Sequence, residues 1–164
     1  MNLILAEYIT SEFLDEYQAL RGQLLDLIND EDLGVSLGGA SPTLGQLCRE
    51  IGEIEHAYVT SFRTFRQDFT YQNREHGVET SVAALRAWYQ ELDRDLNVAL
   101  DGLSPEDMTR RIVRADFGEE YFSPTPTEQL DVYREALLIF YGKASVYLRA
   151  LSKLFPDQWR SWIG

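Results

Sequence analysis

Residues 41–62 read SPTLGQLCREIGEIEHAYVTSF, and the spacing of their apolar positions decides the fold class. Leu44, Leu47, Ile51, Ile54, Tyr58 and Phe62 recur at steps of three and four, which at about 100° per residue places them along one stripe of a helix. Ser41 followed by Pro42 supplies a capping residue and a first-turn proline, so a helix is expected to begin there. Phe65 and Phe69 continue the spacing beyond Phe62.

Three further stripes lie outside this one. Tyr17, Leu20, Leu24, Leu27 and Ile28, preceded by Ile9 and Phe13, predict a first helix that ends near Asp30. The segment DEDLGVSLGGASPT (30–43) then breaks the periodicity with three glycines and a proline. After the polar stretch TYQNREHGVET (70–80), Val82, Leu85, Trp88, Tyr89, Leu92, Leu96 and Leu100 form a third stripe that stops at Asp101-Gly102. Ser104-Pro105-Glu106-Asp107 reads as a short helical turn. Residues 111–126, RIVRADFGEEYFSPTP, alternate apolar and polar side chains around Gly118, a pattern that allows a small hairpin or an extended loop. Thr125-Pro126-Thr127-Glu128 is a second cap-like start, and Leu130, Tyr133, Leu137, Phe140, Tyr141, Ala144, Leu148 and Leu151 carry the fourth stripe. The tail 154–164 adds Trp159 and Trp162, expected to pack on the bundle or on a second subunit. Four amphipathic helices with one long crossover predict an all-α, antiparallel four-helix bundle, a single domain over residues 1–164.

Composition narrows what such a bundle can do. With 45% hydrophobic residues the 164-residue chain can bury one sizeable core. Its net charge of −12 repels a phosphate backbone and an anionic membrane surface, so neither nucleic acid nor membrane is an expected partner. The single cysteine, Cys48, rules out an internal disulfide and any multi-cysteine zinc site, and it suits a reducing compartment. No basic start or cleavage pattern opens the chain, and no apolar run approaches the roughly 18 residues of a membrane span, so a cytoplasmic location is expected.

Glu53 and His56 form Glu-x-x-His, half of the motif by which helical bundles hold two metal ions. The chain has two histidines in all, and His76 follows Asn73 rather than a glutamate at that spacing. Glu53 and His56 also fall roughly 150° from the centre of their helix's apolar stripe, which predicts a solvent-facing pair. Glu55 lies only about 50° from that centre and Glu50 about 90°. An inward carboxylate requires a partner, and an Arg or Tyr of a neighbouring helix is the natural choice for Glu55. Cys48, near the same stripe, reads as a small buried hydrophobe. Arg110, Arg111 and Arg114 on the crossover read as ion-pair partners for an acidic surface. Gly-rich phosphate loops and nucleophile elbows are absent from the sequence.

Segments 41–62, GLSPEDMTRRIV (102–113) and EALLIFYGKASVYLRALSKL (135–154), in this order and with the long crossover, resemble the DinB-like superfamily of DNA-damage-inducible four-helix bundles. That family includes metal-dependent thiol transferases, typically with three histidines on the metal. The resemblance lays the histidine of the second helix on Glu50 and the two of the fourth helix on Ala136 and Phe140, with Tyr141 and Lys143 at the flanking positions. A methyl and a phenyl group offer no lone pair, so neither metal nor other cofactor is expected. What the resemblance then implies is a non-catalytic bundle with cleft residues Glu55, Tyr141 and Lys143, binding a small apolar molecule or a protein partner, including a second copy as a homodimer. The alternative is a metal-dependent thiol transferase or hydrolase using Glu50, Glu55 and His56 with Asp116 or Glu119.

Overall fold

A computed structural model of the chain describes residues 16–115 and 122–164. Helix α1 spans Ala19–Leu27, the one-turn α2 Asp30–Leu33, α3 Leu44–Thr64, α4 Val82–Asp101, α5 Pro126–Ala150 and α6 Asp157–Trp162. Two-residue strands, β1 at Arg66–Gln67 and β2 at Val113–Arg114, are the β-structure among the described residues. The fold is all-α, as the four stripes predict. Ile9 and Phe13 lie outside the described residues.

Helix α3 is the hub, packed against both α4 and α5, while α1 lies against α4. Its start is two residues later than Ser41-Pro42 predicts. Thr43 is the N-cap, and its hydroxyl accepts from the Gln46 N–H while the Gln46 side chain accepts from the Thr43 N–H, a reciprocal pair that satisfies two free donors at once. Ser41 instead ties the preceding loop to Ser36, Leu37 and Gly38. At the other end the helix stops at Phe65, which takes a left-handed conformation with φ 55°. Phe69 therefore leaves the stripe and is largely exposed. The fourth helix begins as its sequence predicts, with Thr125 and Glu128 forming the same reciprocal cap and Pro126 in the first turn.

The arms of the crossover, expected as a small hairpin or an extended loop, are tied both to each other and to the segment after α3. β2 pairs with β1 in parallel, Arg66 with Val113 and Gln67 with Arg114, so the crossover's strand is held by the segment after α3. The Ile112 N–H also donates to the Pro124 carbonyl at 2.8 Å, which brings the two arms of the crossover together. The turn between them falls outside the described residues. Among the crossover arginines, Arg111 pairs with Glu128 and Arg110 lies 4.1 Å over the Phe65 ring.

The core contains Leu20, Leu24, Ile51, Phe62, Leu96 and Leu137, with Trp159 of α6 buried among them. Trp162 is partly exposed and meets Tyr17 edge to face. Close approach of α3 to its neighbours depends on two glycines. A Cβ at Gly45 would stand 1.9 Å from the Glu79 carbonyl oxygen, and one at Gly52 would stand 2.4 Å from the Trp88 ring. Gly22 of α1 has open space around it. Gly45→Ala and Gly52→Ala should each destabilise by about 1–3 kcal/mol despite the helix-propensity gain of about 1 kcal/mol, because the neighbour must move. Gly22→Ala, with the gain and no clash, should be neutral or stabilising by up to about 1 kcal/mol, with urea titrations of all three variants as the check.

Candidate functional site

Among the described residues the interior holds one charged centre. Arg21, on the apolar face of α1 between Leu20 and Leu24, is 1% exposed, and its guanidinium reaches the fully buried Glu55 of α3 with one nitrogen. Its other terminal nitrogen donates to Asp93 of α4, whose side chain is 32% exposed. Gln18 donates to the second Glu55 oxygen at 2.9 Å, and the guanidinium lies 4.0 Å over the Tyr89 ring. Tyr133 of α5 adjoins both Glu55 and Gln18. The partner expected for an inward Glu55 is thus an arginine of a neighbouring helix.

One cation between two carboxylates leaves an excess negative charge, with Glu55 fully buried and Asp93 at the edge of the interior. Burial pushes the Glu55 carboxyl up to about 7; Arg21 and the Tyr133 hydroxyl oppose the rise and Asp93 adds to it. Burial works against the Arg21 charge, but Glu55 and Asp93 together hold its proton more tightly than in water. Two tyrosine hydroxyls around the centre are committed to backbone acceptors. Tyr89 donates to the Cys48 carbonyl and Tyr141 to the Tyr17 carbonyl, each at 2.6 Å. The Cys48 thiol is fully buried and its pKa is pushed by burial to about 12, so it carries no thiolate at neutral pH.

The positions that the family resemblance assigns to metal do not form a ligand set. Glu50 is exposed on α3, Ala136 is half-buried against the core, and Phe140 is buried with its ring 5.3 Å from that of Tyr141. Their donor chemistry, one exposed carboxylate with a methyl and a phenyl group, does not fit a divalent ion. Of the expected cleft residues, Glu55 and Tyr141 do meet at Arg21, whereas Lys143 is exposed. Glu50, Glu55 and His56 of the alternative set do not converge. Glu50 faces solvent, Glu55 faces Arg21 and His56 faces a loop, while Asp116 and Glu119 lie outside the described residues. No group of three or more His, Cys, Asp or Glu side chains suited to a metal ion occurs among the described residues.

His56 and Glu53 correct the helical arithmetic. Both point away from the main stripe, yet the segment after α3 folds back over them. Tyr71 stacks on the His56 ring at 3.8 Å with 18° between planes, and the Asn73 N–H donates to Glu53 at 2.8 Å. The Nδ1 of His56 is buried without a hydrogen bond among the described residues, which fits the neutral ring with its proton on Nε2. Burial lowers its pKa from the ordinary 6.5, with Asp95 opposing the shift and Arg63 adding to it.

Beside this ring opens a pocket of about 230 Å³. Its walls include His56 of α3, Tyr71 of the connection, Trp88, Glu91 and Asp95 of α4, and Glu75. Asp95 also pairs with Arg63. Burial and then Glu75, Glu53 and Glu91 raise the Tyr71 pKa, a sign of how much negative charge gathers at the mouth.

Comparison with solved structures places the fold. The chain is similar to a DinB-like protein of Bacillus subtilis, YjoA, with a TM-score of 0.68 and 14% identity over 96% of this chain and 98% of that one. It is also similar to a DinB-like protein of Bacillus cereus, with a TM-score of 0.62 and 16% identity over 86% of this chain and 94% of that one. The fold is therefore DinB-like, as segments 41–62, 102–113 and 135–154 led us to expect. No family model and no curated protein sequence matches the chain.

Arg21→Met alone would leave Glu55 buried without its cation and should cost about 3–5 kcal/mol in urea unfolding. Arg21→Met combined with Glu55→Met removes both charges and should recover much of that loss. A loss in the double variant equal to the sum of the losses in Arg21→Met and Glu55→Met alone would show that the two side chains do not interact.

Proposed function

We propose that this DinB-like bundle acts by binding rather than by catalysis, and that its ligand is a small organic cation with an apolar body, taken up in the pocket beside His56. The observation that carries this reading is the pairing of an aromatic wall, Tyr71 and Trp88, with the carboxylates Glu75, Glu91 and Asp95 around one opening. Aromatic faces attract a cation through their quadrupole and offer apolar contact to its body. Carboxylates then hold the ammonium head. The chain's net charge of −12 adds a long-range pull on cations and disfavours anionic ligands.

The groups that could do chemistry are committed elsewhere. Glu55 is held by Arg21 and Gln18, and the Cys48 thiol is protonated and enclosed. Tyr141, expected as a cleft residue, is fully buried in the core beside Phe140. The pocket at His56 has both the apolar surface and the opening that such a ligand needs.

Benzylamine and its neutral relative benzyl alcohol are the probes that separate this reading from non-specific apolar binding. Calorimetric titration in 150 mM salt should give saturable one-to-one binding of the amine, at least about tenfold tighter than the alcohol. Glu91→Gln should weaken the amine by roughly tenfold and leave the alcohol unchanged. Affinity should also fall as the pH drops below 6.5, because a protonated His56, facing Asp95, Arg63 and Glu91, adds a like charge to the site. Equal binding of amine and alcohol, or amine binding indifferent to Glu91→Gln, would overturn the proposal.

A further inference from the structure

A groove of about 200 Å³ lies between α1 and α4, where Asp93 reaches the surface. Arg86, Tyr89 and Asp93 line it from α4, at spacings that share one helix face, and Gln18, Gly22 and Leu25 line it from the start and middle of α1 in the same way. Gly22 keeps the groove open, since a Cβ there would meet no atom within 4 Å.

Opposite charges stand toward its two ends. Arg86 pairs with Asp26 near the end of α1, and Asp93 pairs with Arg21 nearer its start. Both pairs leave something to offer. The Asp26 side chain is 70% exposed, and an ion pair so open to water holds its arginine weakly. Asp93 uses one oxygen on Arg21, while the other has no hydrogen bond among the described residues. At the same end the Gln18 amide nitrogen donates to Glu55, but its amide oxygen is buried without a partner among the described residues. Buried acceptors are seldom left so, which marks a place for a donor from outside the chain. Arg21 itself adds nothing further, being 1% exposed with both terminal nitrogens on carboxylates.

We propose that this groove binds a small aliphatic α-amino acid as its zwitterion, with the ammonium on Asp93 and the Gln18 amide oxygen, the carboxylate on Arg86, and the side chain against Leu25 and Tyr89. A purely cationic ligand would face Arg86 and a purely anionic one Asp93, whereas a molecule with both charges answers both. Two turns of α4 set the Cα atoms of Arg86 and Asp93 about 10.5 Å apart, a span that the long arginine side chain and an amino acid bridge together. The volume is below the roughly 300–1,000 Å³ of sites for drug-sized ligands, which limits the occupant to a small metabolite. A zwitterion carries no net charge, so the chain's −12 does not repel it. The site is distinct from the pocket at His56, whose walls gather three carboxylates.

Titration of the full chain with L-valine, followed by nitrogen-15 NMR at physiological salt, tests this. Isobutylamine and isovalerate are the controls, since they are valine without its carboxylate and without its ammonium. Valine should shift the Gly22 and Arg86 amides saturably at roughly millimolar concentration or below, and each control should bind at least about tenfold more weakly. Arg86→Gln should weaken valine by at least about tenfold and leave isobutylamine unchanged. Gly22→Leu should abolish the valine shifts while keeping the native melting midpoint, because its side chain enters the groove from a position with open space around it. No saturable valine binding, valine bound no more tightly than either control, or valine binding indifferent to Arg86→Gln or to Gly22→Leu would each overturn the proposal.

Discussion

A guanidinium buried in the interior has to be answered by carboxylates, and Arg21 obtains them from two different helices. Glu55 reaches it from α3 and Asp93 from α4, so a single charge on α1 fixes the mutual position of three elements. Desolvating these groups costs several kcal/mol per ion, and Coulomb attraction with full hydrogen bonding only offsets that cost when geometry is satisfied on every side. The surrounding donors meet this requirement. Gln18 takes the remaining Glu55 oxygen, Tyr89 stacks beneath the guanidinium, and Trp159 of α6 donates to the Leu20 carbonyl one residue from Arg21. The hydrophobic stripes bring the helices together, and the ion pair specifies their register.

That centre also explains how a DinB-like fold can stand with Ala136 and Phe140 where the resemblance puts metal ligands. Cross-helix ties in this chain come from Arg21, Glu55 and Asp93, together with tyrosine hydroxyls that reach backbone carbonyls across elements. Tyr147 adds a further tie, donating to the Pro42 carbonyl at 2.6 Å and so holding α5 to the loop before α3. Reactive groups are consequently deep and satisfied, while the less committed chemistry lies at the periphery. The pocket at His56 concentrates negative charge against aromatic faces, and the groove between α1 and α4 sets Arg86 and Asp93 toward opposite ends.

Much of the fold could be read from spacing alone. The stripes at 44–62, 82–100 and 130–148 each became a helix, because repeated burial at three- and four-residue steps has one regular solution. Thr125 and Glu128 marked a helix start for the same local reason. The start of α3 was misjudged because Thr43 with Gln46 outcompetes Ser41 with Pro42, a choice made by reciprocal hydrogen bonding rather than by residue type. Within the site, Glu55 was legible as an inward carboxylate in need of an arginine. Arg21 was not singled out, although a charged residue on an apolar face beside Leu20 and Leu24 was the available signal. His56 and Glu53 were misread because periodicity reports direction from the helix axis and is blind to a loop that folds over the outward face. Lys143 and Glu50 were placed by resemblance, and the exposed sides they occupy are decided by helix rotation.

The claim on which the account rests is that Glu55 is enclosed and answered by Arg21. Carbon-13 NMR of the side-chain carboxyls, followed across pH, measures it directly. A Glu55 carboxyl titrating near pH 7, well above the ordinary 4.5, is the predicted result. Titration at the ordinary value, unchanged by Arg21→Met, would mean that water reaches the carboxylate and that Arg21 does not answer it, and would contradict a closed ionic centre at the heart of the bundle.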